Sequence, residues 1–111
     1  MDTRKAGITR GTTPSISVTV PMDLTGWTCY FSIGKKIHTP YLTADNSQMS
    51  ASYGETSTLV FTLTQEQTLS CKAGLAYVQL RLIDGDTALA STIGEIEIFD
   101  IVKDGEIVDV Y

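Results

Sequence analysis

The chain has 111 residues, of which 42% are hydrophobic, 19% charged and 8% aromatic. That balance suits one globular domain and argues against a disordered chain or a bundle of membrane-spanning helices. Eight lysines and arginines against thirteen aspartates and glutamates leave a net charge of −5, the wrong sign for a surface that neutralises phosphates, so nucleic acid is not an expected partner.

Residues 1–14 lack apolar periodicity and end in Gly11-Thr12-Thr13-Pro14; they read as an N-terminal arm ahead of a single domain over residues 15–111. The charged start is not followed by an apolar stretch, so no secretory leader is expected, and nothing is long enough to span a bilayer. The expected compartment is a cytoplasm, with no membrane partner. Ile16, Val18 and Val20 alternate with Ser15, Ser17 and Thr19 until Pro21 stops the ladder, which predicts a first strand.

After turn chemistry at residues 23–26, Trp27, Cys29, Phe31 and Ile33 line one face of a second strand, with Thr28, Tyr30 and Ser32 on the other. Gly34-Lys35 fits the central pair of a type II′ hairpin, which would return the chain into a strand over residues 36–43. Pro40 removes a donor from that strand and assigns it to a sheet edge. Asp45-Asn46-Ser47 turns the chain into a weak fourth strand marked by Met49, Ala51 and Tyr53.

Residues 57–63 carry a strong alternation, Leu59, Phe61 and Leu63 inward. Thr64-Gln65-Glu66-Gln67 has the spacing of a capping box, so one or two helical turns should follow, with Leu69 closing an end of the core. Over residues 75–83 Ala76, Val78, Leu80 and Leu82 face one way and Tyr77, Gln79 and Arg81 the other, the pattern of a central strand. A turn at Asp84-Gly85-Asp86 leads to a return strand over residues 87–91, then to the alternating Glu95-Ile96-Glu97-Ile98. Phe99 and Ile101 break that phase, which calls for a bulge or a change of sheet near Phe99.

Asp104-Gly105 is a two-residue hairpin signal before an acidic terminal strand containing Ile107, Val108, Val110 and Tyr111. Those four residues are the candidate interface: either a last edge strand packed on its own domain or a strand offered to a neighbour. From Asp84 onward eight acids face Lys103 alone, a net −7, while residues 1–83 carry a net +2. The tail is either simply solvated or drawn to the positive half of another copy. Together the elements predict an all-β fold, an antiparallel Ig-like β-sandwich of seven to eight strands with one short helical turn.

Sites for chemistry are scarce. His38 is the single imidazole, so a histidine metal cage is excluded, and in an edge strand it reads as a surface residue. Glu95 and Glu97 share one strand face as on any solvated amphipathic strand, whereas glycosidase carboxylates face each other across a cleft. Asp84 and Asp86 lack the further oxygen ligands of a calcium loop and read as turn formers. Cys29 and Cys71 read as small buried residues of a reducing compartment. An Ig-type bridge stays open, although Trp27 precedes Cys29 instead of following it by about a dozen residues. Trp27, Tyr30, Tyr41, Tyr53 and Tyr77 include a partial aromatic platform at most, because Trp27 and Tyr30 point to opposite faces. No catalytic residue, cofactor or metal is expected, and the chain does not read as an enzyme.

Several motifs occur in a fixed order: Arg10-Gly11-Thr12-Thr13-Pro14, Leu63-Thr64-Gln65-Glu66-Gln67-Thr68-Leu69, Lys72-Ala73-Gly74, Val78-Gln79-Leu80-Arg81-Leu82, and Asp84-Gly85 followed by Ala88-Leu89-Ala90-Ser91. In that order the set resembles small proteins encoded among tail or baseplate genes in prophages of Gram-positive bacteria. More distantly it is similar to the N-terminal β-sandwich of phage baseplate upper proteins. The likeness covers about residues 8–101, with no matching motif between Lys36 and Tyr53. It implies a virion structural or assembly protein that is made in a bacterial cytoplasm and associates with itself or with tail or baseplate proteins, the arm before Pro14 and the segment after Val102 reaching outward. The alternative is a ligand-binding, carbohydrate-binding β-sandwich.

Overall fold

The computed structural model describes residues 7–109, which form two stacked β-sheets. Strands β1 (Gly7–Thr9), β3 (Thr28–Lys36), β4 (Thr39–Ala44), β7 (Gly74–Asp84) and β9 (Gly94–Phe99) build the larger sheet in the order β1-β9-β7-β3-β4, with β8 (Thr87–Ala90) also on β7. Strands β2 (Ser15–Val20), β5 (Met49–Ser52) and β6 (Ser57–Thr62) build the smaller one in the order β2-β6-β5. Every pairing is antiparallel except β1 with β9. The fold is the all-β sandwich expected from the alternation. Among the described residues no helix is long and apolar enough to cross a membrane.

Period-two patterning explains which faces meet. Cys29, Phe31 and Ile33 of β3, Ala76, Leu80 and Leu82 of β7, and Leu59 and Phe61 of β6 are all buried. The rings of Phe31 and Phe61 bring the two sheets together, stacked at 5.5 Å with 24° between their planes. Ile16, Val18 and Val20 are only partly buried, because β2 is an edge of the smaller sheet. Helix α1 (Gln65–Leu69) begins as expected: the Thr64 hydroxyl accepts from the Gln67 amide at 3.1 Å, and the Gln67 side-chain oxygen accepts from the Thr64 amide at 3.0 Å. Thr68, not Leu69, is its buried residue, and its hydroxyl donates to the Thr12 carbonyl at 2.8 Å.

Four further expectations are corrected. Gly34-Lys35 is not a turn: β3 runs on to Lys36, and Ile37 with His38 makes the reversal, His38 taking a φ of 68°. Gly34 is needed where the returning chain crowds it, since a Cβ there would lie 2.7 Å from the Thr39 carbonyl oxygen. Pro40 does lie in an edge strand.

The N-terminal arm is not free over its whole length. Gly7–Thr9 pairs in parallel with β9 and buries Ile8, too short an element for periodicity to reveal.

No bulge lies at Phe99, where β9 ends; the bulge lies instead between β8 and β9. Ala90 stands opposite Arg81 and Gly94 opposite Val78, so residues 91–93 face only two residues of β7. The Ser91 amide donates to the Leu80 carbonyl at 2.8 Å, and its hydroxyl accepts from the Leu80 amide at 3.0 Å, which pins this bulge. Phe99 ends β9 close over Gly7, whose missing side chain would stand 2.8 Å from Phe99 Cε2.

Finally, no strand follows Phe99 among the described residues, so the acidic hairpin at Asp104-Gly105 does not form there. Its backbone pairing is replaced by side-chain contacts from Arg10 and Gln65.

Cys29 and Cys71 are both buried and free, and burial pushes both thiols above their ordinary pKa. Neither thiol should react with iodoacetamide over hours in the native protein at pH 8, whereas both should label at once in 8 M urea. Intact mass after timed quenching checks this.

Candidate functional site

Arg10 leaves β1 and holds the two ends of the sequence together. Its Nε donates to the Cys71 carbonyl at 2.8 Å and Nη2 to the Leu69 carbonyl at 3.1 Å, at the C-terminal end of α1 where backbone carbonyls lack partners. Nη1 reaches Asp100 at 2.9 Å and Nη2 reaches Asp104 at 3.3 Å. The positive front and negative back of the sequence therefore meet at Arg10 within one chain. Beyond them the Gln65 side-chain amide donates to the Ile107 carbonyl at 2.9 Å, and its oxygen accepts from the Ile107 amide at 3.0 Å, imitating a strand partner. Of the candidate interface, Ile107 and Val108 are exposed; Val110 and Tyr111 lie outside the described residues.

The carboxylates that close turns and this clasp respond to acid. The Ile101 amide and then Arg10 hold Asp100 below the usual carboxylate range, and the hydroxyl and amide of Ser47 and Thr25 do the same for Asp45 and Asp23. A depressed folded pKa contributes stability that is present above the unfolded value, near pH 4, and is lost as pH falls through the folded one. The urea midpoint should thus be flat from pH 7 to about 5 and fall below about 4. Asp100→Asn should lower the neutral plateau and reduce that fall.

A second region lies on the outer face of the larger sheet. Strand β7 turns Leu75, Tyr77, Gln79, Arg81 and Ile83 outward, the parity opposite to its buried residues. Tyr30 lies beside Arg81, Ser32 beside Gln79 and Gly34 beside Tyr77 on one flank; Glu95 lies beside Tyr77 and Glu97 beside Leu75 on the other. Leu75, Ile83 and Tyr30 are 40–43% exposed, and Ile93 on the bulge is 44% exposed. An open groove of about 350 Å³ runs here between the β3–β4 reversal and the bulge, lined by Tyr77, Gln79, Arg81, His38, Ile37 and Ile93 among others. The Gln79 side chain donates to the Ser91 carbonyl at 2.9 Å and fixes its floor.

His38 therefore lines the groove, whose lining also carries the cationic Lys36 and Arg81. Glu95 and Glu97 share the outer sheet face, and among the described residues no acid lines the groove beside it. Asp84 and Asp86 flank Gly85 in the β7–β8 turn region. Trp27 packs against the core while Tyr30 is exposed on the opposite face, so the aromatic residues do not form one platform. The outer face went unrecognised in the sequence, although its signal was present: the outward parity of β7 begins in Leu75 and ends in Ile83, where a solvated strand would carry polar residues.

No protein-family model matches the chain, and no curated protein matches it in sequence.

Proposed function

We propose that this chain is a structural or assembly protein of a phage or prophage virion, a tail or baseplate component that works through protein–protein contacts. The ordered motifs from Arg10 to Ser91 support the virion context by their resemblance to prophage tail-region proteins. The contact mechanism is carried by one observation: β7 fills the core with Ala76, Leu80 and Leu82 on one face and still displays Leu75 and Ile83 on the other. Partners are further copies of the chain or other tail proteins, and synthesis is in the bacterial cytoplasm. Mass spectrometry of particles purified after prophage induction tests this. The expected result is recovery of the chain with the tail at fixed stoichiometry; its absence from both particles and tail assembly intermediates overturns the reading.

Carbohydrate binding is the second reading, favoured by the groove that sets Tyr77 beside Gln79, Ser32 and Arg81. Specific glycan binding that Tyr77→Ala abolishes would put this reading first.

A further inference from the structure

We propose that the outer face of the larger sheet is a two-fold self-association surface, on which two copies pack face to face about an axis that crosses β7 at Gln79. The proposal names a second copy of the chain as the partner of the same β7 face, and so rests on the contact mechanism proposed above though not on the virion context.

The outward residues of β7 are nearly palindromic about Gln79: Tyr77 and Arg81 flank it, and Leu75 and Ile83 lie outside them. A two-fold axis in the contact plane, perpendicular to β7, exchanges positions equally far from Gln79 along the strand. In such an isologous contact whatever one residue meets, its mate meets in return. Leu75 of one copy then covers Ile83 of the other, and Tyr77 covers Arg81, an aromatic face under a guanidinium.

The flanking strands obey the same exchange. On β3, Ser32 lies level with Gln79 on the axis, and Gly34, level with Tyr77, changes places with Tyr30, level with Arg81. The exposed Tyr30 ring of each copy therefore lands on the other's groove lining at the level of Gly34, where the returning Thr39 and Pro40 form the surface. On the opposite flank Glu95 changes places with Ala90, the residue level with Arg81.

Charge follows the same symmetry. Arg81 and Glu95 make no ion pair among the described residues, and the exchange brings each Glu95 beside the partner copy's Arg81, twice per dimer. The bulge places Ile93 level with the axis, where it meets its own copy. Only β3, β7 and the β8–β9 run extend to both sides of the axis; three strands about 4.8 Å apart and the length of β7 at about 3.3 Å per residue give roughly 500 Å² per copy. That is the size of a weak, reversible interface, below the roughly 800 Å² per partner of a standard one.

The test is sedimentation velocity of the full chain from micromolar to submillimolar concentration. The expected result is a monomer–dimer equilibrium that Arg81→Glu and Glu95→Arg each weaken by about tenfold or more and that the two substitutions combined in one chain restore. Both positions are on the sheet surface, and thermal melts confirm that the variants fold. Ser32→Cys, placed on the axis, should form a covalent dimer on mild oxidation, whereas Tyr53→Cys in the other sheet's loop should not. A monomer at every concentration overturns the pairing, and so does a dimer indifferent to both charge reversals. Neither of these results touches the virion reading, which particle composition decides.

Discussion

Phe61→Ala is expected to destabilise the protein by about 3–5 kcal/mol, the largest loss from any single truncation of the core. Phe61 is fully buried in β6, the middle strand of the smaller sheet, with Ile16 opposite it on one side and Met49 on the other. Its ring is also half of the aromatic stack that joins the two sheets, against Phe31 at 5.5 Å. Removing it takes away apolar burial, the pair contact of about 0.5–1.5 kcal/mol, and the filling of a space that cannot collapse. Strand β6 is hydrogen-bonded on both edges and cannot slide inward. Against a total stability of about 5–15 kcal/mol for a domain of this kind, the loss is a large share. Urea unfolding should show a sharply lower midpoint with an unchanged slope, and Phe61→Leu should recover most of the difference. A loss under about 1 kcal/mol would mean that the sheets do not lean on this ring.

Strands with a strict period of two were legible because burial on one face leaves a mark at every second residue. Thus Leu59, Phe61 and Leu63, and likewise Ala76, Leu80 and Leu82, were read inward and are buried. What escaped was structure decided by contacts distant in sequence. Three residues, Gly7–Thr9, cannot display a period, and they become a strand because β9 offers them an edge. Gly34 was read as a turn glycine by its neighbours, yet its lack of a side chain answers to the Thr39 carbonyl across the hairpin. The terminal hairpin failed because Asp104, a good turn former in isolation, is held by Arg10, while the Ile107 backbone finds its partner in the Gln65 side chain. The outer face of β7 was visible letter by letter. Its meaning depended on knowing that Tyr30, Gly34, Glu95 and Ala90 lie level with its residues, which only the register supplies.

Ser57→Ala should cost about 2–4 kcal/mol, far more than the loss of one small side chain suggests. Ser57 opens β6 with no solvent exposure, and its hydroxyl accepts from the Leu24 amide at 3.0 Å while donating to the Met22 carbonyl at 2.8 Å. It thereby serves as the hydrogen-bonding partner of a connection, residues 21–27, that crosses from the smaller sheet to the larger without strand neighbours of its own. Leu24 is itself fully buried, so its amide has no access to bulk water once the hydroxyl is gone. A buried polar group left unpaired costs about 1–3 kcal/mol, and alanine leaves the Leu24 amide in that state while also removing the donor to the part-buried Met22 carbonyl. Ser57→Cys keeps a weak donor and a weak acceptor and should fall between the two. Amide exchange separates this from a packing effect. In Ser57→Ala the Leu24 amide should lose protection beyond the global loss of stability, while the amides of β3 paired with β7 slow or quicken only with the global value. A Leu24 amide that stays protected in the alanine variant would show that another group, not this hydroxyl, holds the crossing in place.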